Sequence, residues 1–255
     1  MSAPIATLRS EWAKLTTVRS TGWTLFAAFA VTVVFGTLVS ALSNSQYDDL
    51  SQQEKLSFDA AGTSFAGGVL GQLAMIAFGV MVVGGEYSSG MIRNSLAAVP
   101  RRGVFYFGKV TVATGAALVV GMVTSFATFF AGQAALGSHS TTIGADNVLR
   151  ATLGAGLYMT LMAVFSMGVA TMLRSSMLSM GILMPFFFLV TQILASVPGA
   201  KDAAHYLPDQ AGLAMARVVE KSDVPYGPGG GLAIMLLWVA AAVLGGYLVL
   251  RNRDA

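Results

Sequence analysis

Cysteine is absent from this 255-residue chain, which excludes disulfides, thiolate metal sites and a cysteine nucleophile. Charge is scarce too: Asp, Glu, Lys and Arg make up 11% of the residues, against about 25% in average soluble proteins. Histidine occurs only as His139 and His205, too far apart in the chain to form a helical ligand pair, so no metal site is predicted and both read as surface or interface side chains. A phosphate-cradling loop is also missing, because the glycine-rich run at 227–231 lacks the Gly-Lys-Ser/Thr ending. Any dependence on ATP therefore has to come from another chain, and no catalytic residue is assigned. Despite a pI near 9.3, no basic run is interleaved with aromatics, so nucleic acid is not an expected partner.

What the chain has instead is apolar length. Hydrophobic residues make up 55%, and the mean hydropathy is +0.69. Six uncharged runs of about 20 residues each match ~30 Å of hydrocarbon at ~1.5 Å per helical residue. They fall at about 23–42, 63–83, 110–134, 152–172, 178–197 and 231–250 and predict an all-α membrane protein, one domain of six transmembrane helices. A signal peptide is the rival for the first run, but its polar leader is too long and its apolar run exceeds a typical signal core.

None of the six runs contains Asp, Glu, Lys, Arg or His, the groups a membrane-buried enzyme or a proton-driven carrier would need at depth. Their polar residues are Gln72, Gln133 and Gln192 with scattered Ser and Thr. Such side chains either bond between helices or line a polar path, and Gln72 and Gln192 are the candidates for a substrate path. Gly67 and Gly71, four apart, suit close helix packing, though chance in a glycine-rich chain accounts for them as well. Pro185 is expected to kink the fifth span, as a hinge or as a static packing feature. Arg174, Ser175 and Ser176 predict a very tight turn between the fourth and fifth spans.

Before the first span, residues 4–19 place Ile5, Leu8, Trp12 and Leu15 on one helical face, with Arg9, Ser10 and Lys14 elsewhere. This predicts an amphipathic helix lying against membrane lipid. Orientation follows from the basic residues. With the N-terminus inside, the inner segments hold Arg9, Lys14, Arg19, Arg93, Arg101, Arg102, Lys109, Arg174, Arg251 and Arg253. The outer ones hold Lys55, Arg150, Lys201, Arg217 and Lys221. That bias predicts a multi-pass protein of the cell membrane with both termini cytoplasmic. Residues 198–228 then form the longest outer soluble segment.

The largest inner interruption is "GGEYSSGMIRNSLAAVPRRGVFYFGK" at 84–109. Ile92, Leu96 and Val99 form an apolar stripe ended by Pro100, which predicts a short amphipathic helix that lies in the headgroups or inserts into a groove on a partner. Phe105, Tyr106 and Phe107 read as interfacial anchors.

With these residues in place, the chain resembles the membrane permease subunits of type-2 ABC exporters, especially small six-span actinobacterial ones. The likeness rests on the leader "LRSEWAKLTTVRST", on Glu86, Gly90, Arg93, Leu96, Pro100, Arg102 and Lys109, and on "LPDQAG" before the last span. Met91 departs from it, standing where the family often has Thr. The resemblance implies that residues 86–100 are a coupling helix docking on a separate cytoplasmic ABC ATPase subunit, which would carry the ATP and Mg, with no cofactor on this chain. It further implies that the leader, with Leu8, Trp12 and Leu15, is a connecting helix beside it, and that a second permease chain completes a homo- or heterodimer. Glu86 would pair with a basic residue of the loop or leader to relay movement, or else remain a solvated carboxylate. An integral-membrane enzyme, or an assembly or immunity subunit without its own transport path, is the alternative; only Glu86 with Arg93 and Arg102 approaches the ionisable cluster it would need.

Overall fold

The computed structural model describes residues 3–219 and 224–252; Lys221 and Arg253, counted above in the charge bias, lie outside them. All regular elements among the described residues are helical. A leader helix α1 (Ala3–Thr17) breaks at Val18, whose extended backbone starts a new helix, α2 (Arg19–Gln46). Short helices α3 (Gln52–Leu56) and α4 (Ala60–Ser64) lead into α5 (Gly68–Ser88). After α6 (Met91–Ala98) come the long helices α7 (Arg102–Leu136) and α8 (Val148–Leu173). The chain ends with α9 (Ser176–Pro185), α10 (Thr191–Ser196), α11 (Lys201–Ala204), α12 (Pro208–Met215) and α13 (Pro228–Asn252).

Among the described residues, six helical stretches are long and apolar enough to cross a membrane: Arg19–Asp49, Ala60–Ser88, Arg102–His139, Val148–Leu173, Ser176–Ser196 and Pro228–Asn252. Each contains one of the six predicted runs, apart from Val197 at the end of the fifth. The helices mostly extend beyond those runs, because polar residues continue a helix once its apolar middle is formed. Helix α8 is the central post, with 78% of its most apolar window buried against 17–22% for α2, for α9 to α10 and for α13. It packs on α5, α7 and α13, while α2 lies against α7 and α5.

Close approach rather than bulk apolarity sets these contacts, as expected where lipid is as greasy as the core. An added Cβ at Gly67 would lie 2.1 Å from the Thr32 carbonyl oxygen, and one at Gly71 would lie 2.0 Å from the Thr32 hydroxyl. The predicted small-residue pair thus faces α2. The tight turn is also present: Arg174 takes a left-handed conformation (φ 55°), and the Ser175 hydroxyl accepts from the Leu178 N–H at 3.2 Å to start α9. Pro185 ends α9, and a π-helical stretch, Phe186–Val190, absorbs the missing backbone bond before α10 continues.

Three expectations fail. Helix α7 begins at Arg102 rather than near 110, so at 35 residues it is about 52 Å long, and Phe105 and Tyr106 are core side chains instead of interfacial anchors. Only Phe107 of that trio is exposed. The outer segment is not wholly soluble, because α12 is buried along nearly its whole length between α8 and α13. His205, expected near the surface, is buried with it, whereas His139 stacks on Tyr47 and meets Asn44 Oδ1 at 3.0 Å.

Candidate functional site

The main departure from the neutral interior that the uncharged runs suggest lies at the α1 end of the bundle. Glu86 is in the last turn of α5, Lys109 is eight residues into α7, and Glu11 and Lys14 lie one turn apart on α1. Folding brings all four together. Lys109 Nζ donates to Glu11 Oε2 at 2.5 Å and to Glu86 Oε1 at 2.9 Å, and Lys14 Nζ to Glu11 Oε1 at 2.7 Å and Glu86 Oε1 at 2.8 Å. The Glu11, Glu86 and Lys109 side chains are at most 6% exposed. Both ammonium groups also sit over the Phe105 ring, 5.7 and 5.4 Å from its centroid.

Two carboxylates and two ammonium groups leave no net charge, which is the condition under which burying them is tolerable. Helix electrostatics do not help Glu86, since the C-terminal end of α5 carries partial negative charge. Its position is held by the lysines. Lys14 extends the cluster to a fourth element by donating to Ser95 Oγ of α6 at 3.2 Å. One network therefore ties α1, α5, α6 and α7.

Burial works against the Lys14 charge, but its hydrogen bonds to Glu11 and Glu86 outweigh that and hold the ammonium above its ordinary value of 10.5. The folded state thus binds this proton more tightly than the unfolded one. The resulting stabilisation is complete below pH 10.5 and is lost as pH rises through the higher folded value. Thermal unfolding followed across that alkaline range should fall more steeply for the native chain than for Lys14→Met. Parallel curves for the two proteins would show that Lys14 does not supply this linkage.

Gly90 makes the corner into α6 in a left-handed conformation (φ 69°) that side-chain-bearing residues rarely adopt. The stripe of Ile92, Leu96 and Val99 faces the bundle, with Ile92 buried against Phe105, Tyr106 and Leu250 and with Leu96 and Val99 half-buried beside it. The face presented outward carries Met91, Arg93, Asn94, Ala97 and Ala98, followed by Pro100. Arg102 turns to the end of α13, donating to the carbonyl oxygens of Leu250 at 2.8 Å and Arg251 at 3.2 Å. Of the residues singled out in the sequence, Glu86 and Lys109 therefore meet in the cluster. Leu96 is packed inward, Arg102 caps a span, and Gly90, Arg93 and Pro100 lie on the open surface.

On α1 the apolar stripe points away from the protein: Leu8 and Trp12 are exposed, the latter at 54%, and only Leu15 packs inward. Thr7 and Glu11 form the buried face instead. A cavity of about 510 Å³ lies beside the charges, walled by Leu15, Val18, Met81, Val82, Val112 and Met180. Gln72 and Gln192 do not share a path. Gln72 is fully buried and accepts from the Tyr158 hydroxyl, whereas Gln192 is exposed on α10.

A family model described as ABC-2 family transporter protein matches residues 7–191, a stretch that includes all four charged residues of the cluster. The chain belongs to the ABC-2 transporter family. It is a multi-pass membrane protein, and as an ABC-2 permease it falls among chains that are generally non-enzymatic transport subunits and that associate with an ABC ATPase. No curated protein matches the chain. Glu11 and Lys14 are the two residues of the permease cluster that sequence reasoning did not single out. The available signal was a lone acid in an otherwise basic leader, one turn before a lysine.

Proposed function

We propose that this permease is the membrane half of an ATP-driven exporter, powered by separate cytoplasmic ATPase subunits that bind ATP and Mg and bear on the outward face of α6. The observation that carries this reading is the buried four-charge network. A push on α6 reaches Lys14 through Ser95 and Ile92 through the core, and from there α1, α5 and α7 must move together or break ion pairs. In this reading α1 is the connecting helix at the inner surface, its exposed Leu8 and Trp12 in lipid, and both termini are cytoplasmic, in keeping with the basic bias of that side. A second permease chain, identical or related, covers the exposed apolar faces of α2 (Val34, Leu38) and α9 to α10 (Ile182, Ile193), and export proceeds between two openings of the pair.

The enzyme alternative has less to draw on, since the four charges neutralise one another and Arg102 is committed to α13. The coupling reading is tested on the outward face of α6. Asn94→Glu and Ala97→Glu change exposed side chains, so the melting temperature of the purified chain should stay within the equivalent of about 0.5 kcal/mol of native. Stimulation of a co-expressed ATPase should fall at least about tenfold, a loss of about 1.4 kcal/mol in coupling. Undiminished stimulation by both variants would mean that the ATPase grips the permease elsewhere.

A further inference from the structure

Helix α12 reaches into the bundle. The Trp238 indole N–H donates to the Tyr206 carbonyl oxygen at 2.8 Å, and Trp238 lies ten residues, or about 15 Å, along α13. Gly212 packs on the ring of Tyr158, which lies equally far along α8. The first turn of α12 therefore lies inward of the starts of α8 and α13, its Ala211 carbonyl oxygen beside Gly231, the fourth residue of α13, and it carries Asp209, a carboxyl that is 0% exposed.

The partners of Asp209 are all neutral. Gln210 Nε2 donates to Oδ2 at 2.9 Å, Oδ1 has no partner, and the neighbouring Thr191 hydroxyl of α10 donates instead to the Phe187 carbonyl oxygen at 3.1 Å. Around it, the Tyr158 hydroxyl donates to Gln72 Oε1, and the Tyr226 hydroxyl donates to the His205 carbonyl oxygen. The amide nitrogen of Gln72 and Nε2 of His205 are likewise buried without partners. Arg150 is spent on the carbonyl oxygens of Met215 and Arg217 at the far end of α12, and the Arg217 side chain lies beside Tyr226. The only charged residue described on α13 is Arg251, at its opposite end. An unpaired buried carboxylate costs several kcal/mol, whereas one unmade hydrogen bond of a neutral carboxyl costs about 1–3 kcal/mol, so the seated helix favours the protonated acid.

We propose that Asp209 is a proton-binding site that latches α12 between α8 and α13, the helix staying seated with the proton bound and coming loose when the proton leaves. The sign follows from burial: a neutral carboxyl is favoured in the seated state and an ionised one in the open, hydrated state, so raising the pH opens the latch. The inference does not depend on the ATPase.

The absence of cysteine makes the test clean. Met215→Cys places one thiol on the buried face of α12, in a chain that either keeps Asp209 or also carries Asp209→Asn, in detergent so that a maleimide reaches both ends. Dividing the two labelling rates at each pH cancels the intrinsic reactivity of the thiol and any contribution from His205. From about pH 5 to about pH 9 the rate with Asp209 kept, divided by the rate with Asp209→Asn, should rise from near one to at least about fivefold. A ratio that stays at one overturns the proposal, whether both proteins open or neither does. Gln210→Leu removes the amide donor that favours the ionised form, so it should move the rise to higher pH; a uniform increase in labelling, or a shift to lower pH, would mean simple loosening and defeat the latch. Hydrogen exchange of the α12 amides in cysteine-free chains should give the same ordering, and its failure to do so counts equally against it.

Discussion

Lys109→Met should lower the stability of the purified permease by about 3–5 kcal/mol, the cost of breaking a buried ion pair from one side. The substitution preserves side-chain length but leaves two carboxylates, Glu11 and Glu86, on the single ammonium of Lys14. One negative charge is then uncompensated in a site where both acids are 4% exposed. The double variant Glu86→Gln/Lys109→Met removes one charge of each sign and leaves Glu11 paired with Lys14, so it should recover more than half of the loss despite carrying more changes. Thermal or denaturant unfolding in one detergent decides the matter. A single variant within about 1 kcal/mol of native would mean that water reaches these charges and that they cannot serve as a stiff link.

The second large effect is steric. Gly168→Val should cost more than about 3 kcal/mol or abolish folding, because overpacking against backbone cannot be relieved by a rotamer change. A Cβ at this position would lie 2.4 Å from the Ala242 carbonyl carbon and 2.7 Å from the Val243 nitrogen, at the contact of α8 with α13. The same replacement at Gly115, which has nothing within 4 Å, should stay within about 0.5 kcal/mol of native. Comparing the yield of monodisperse protein and the melting temperatures of the two variants separates packing from glycine propensity. Equal losses at both sites would rule out close approach as the cause.

Much of the scaffold was readable residue by residue. Uncharged length located the six helices long and apolar enough to cross, Arg174 to Ser176 marked the turn, Pro185 marked the broken helix, and Gly67 with Gly71 marked a close approach to α2. The candidate site was readable by half. Glu86 and Lys109 stood out in the polar stretch at 84–109, but their partners on α1 did not, because Lys14 reads equally well as a headgroup-facing lysine. The α6 stripe was legible as a stripe, but that Ile92 packs on α7 and α13 was not, since its period gives the face and not what lies across from it.

Composition and local order alone determined that this is a helical membrane protein with six stretches long and apolar enough to cross and no nucleotide loop, because those properties belong to a residue and its near neighbours in the chain. Only the tertiary structure decided that Glu11 meets Lys109 across 98 positions, that Ile92 faces inward, and that Asp209 lies inside the bundle. The physical reason is that the free energy of a buried charge depends on what stands within a few ångströms of it. That separation is set by how the helices cross, and crossing in lipid follows from the shapes of opposed surfaces such as Gly168 against Ala242 rather than from hydropathy.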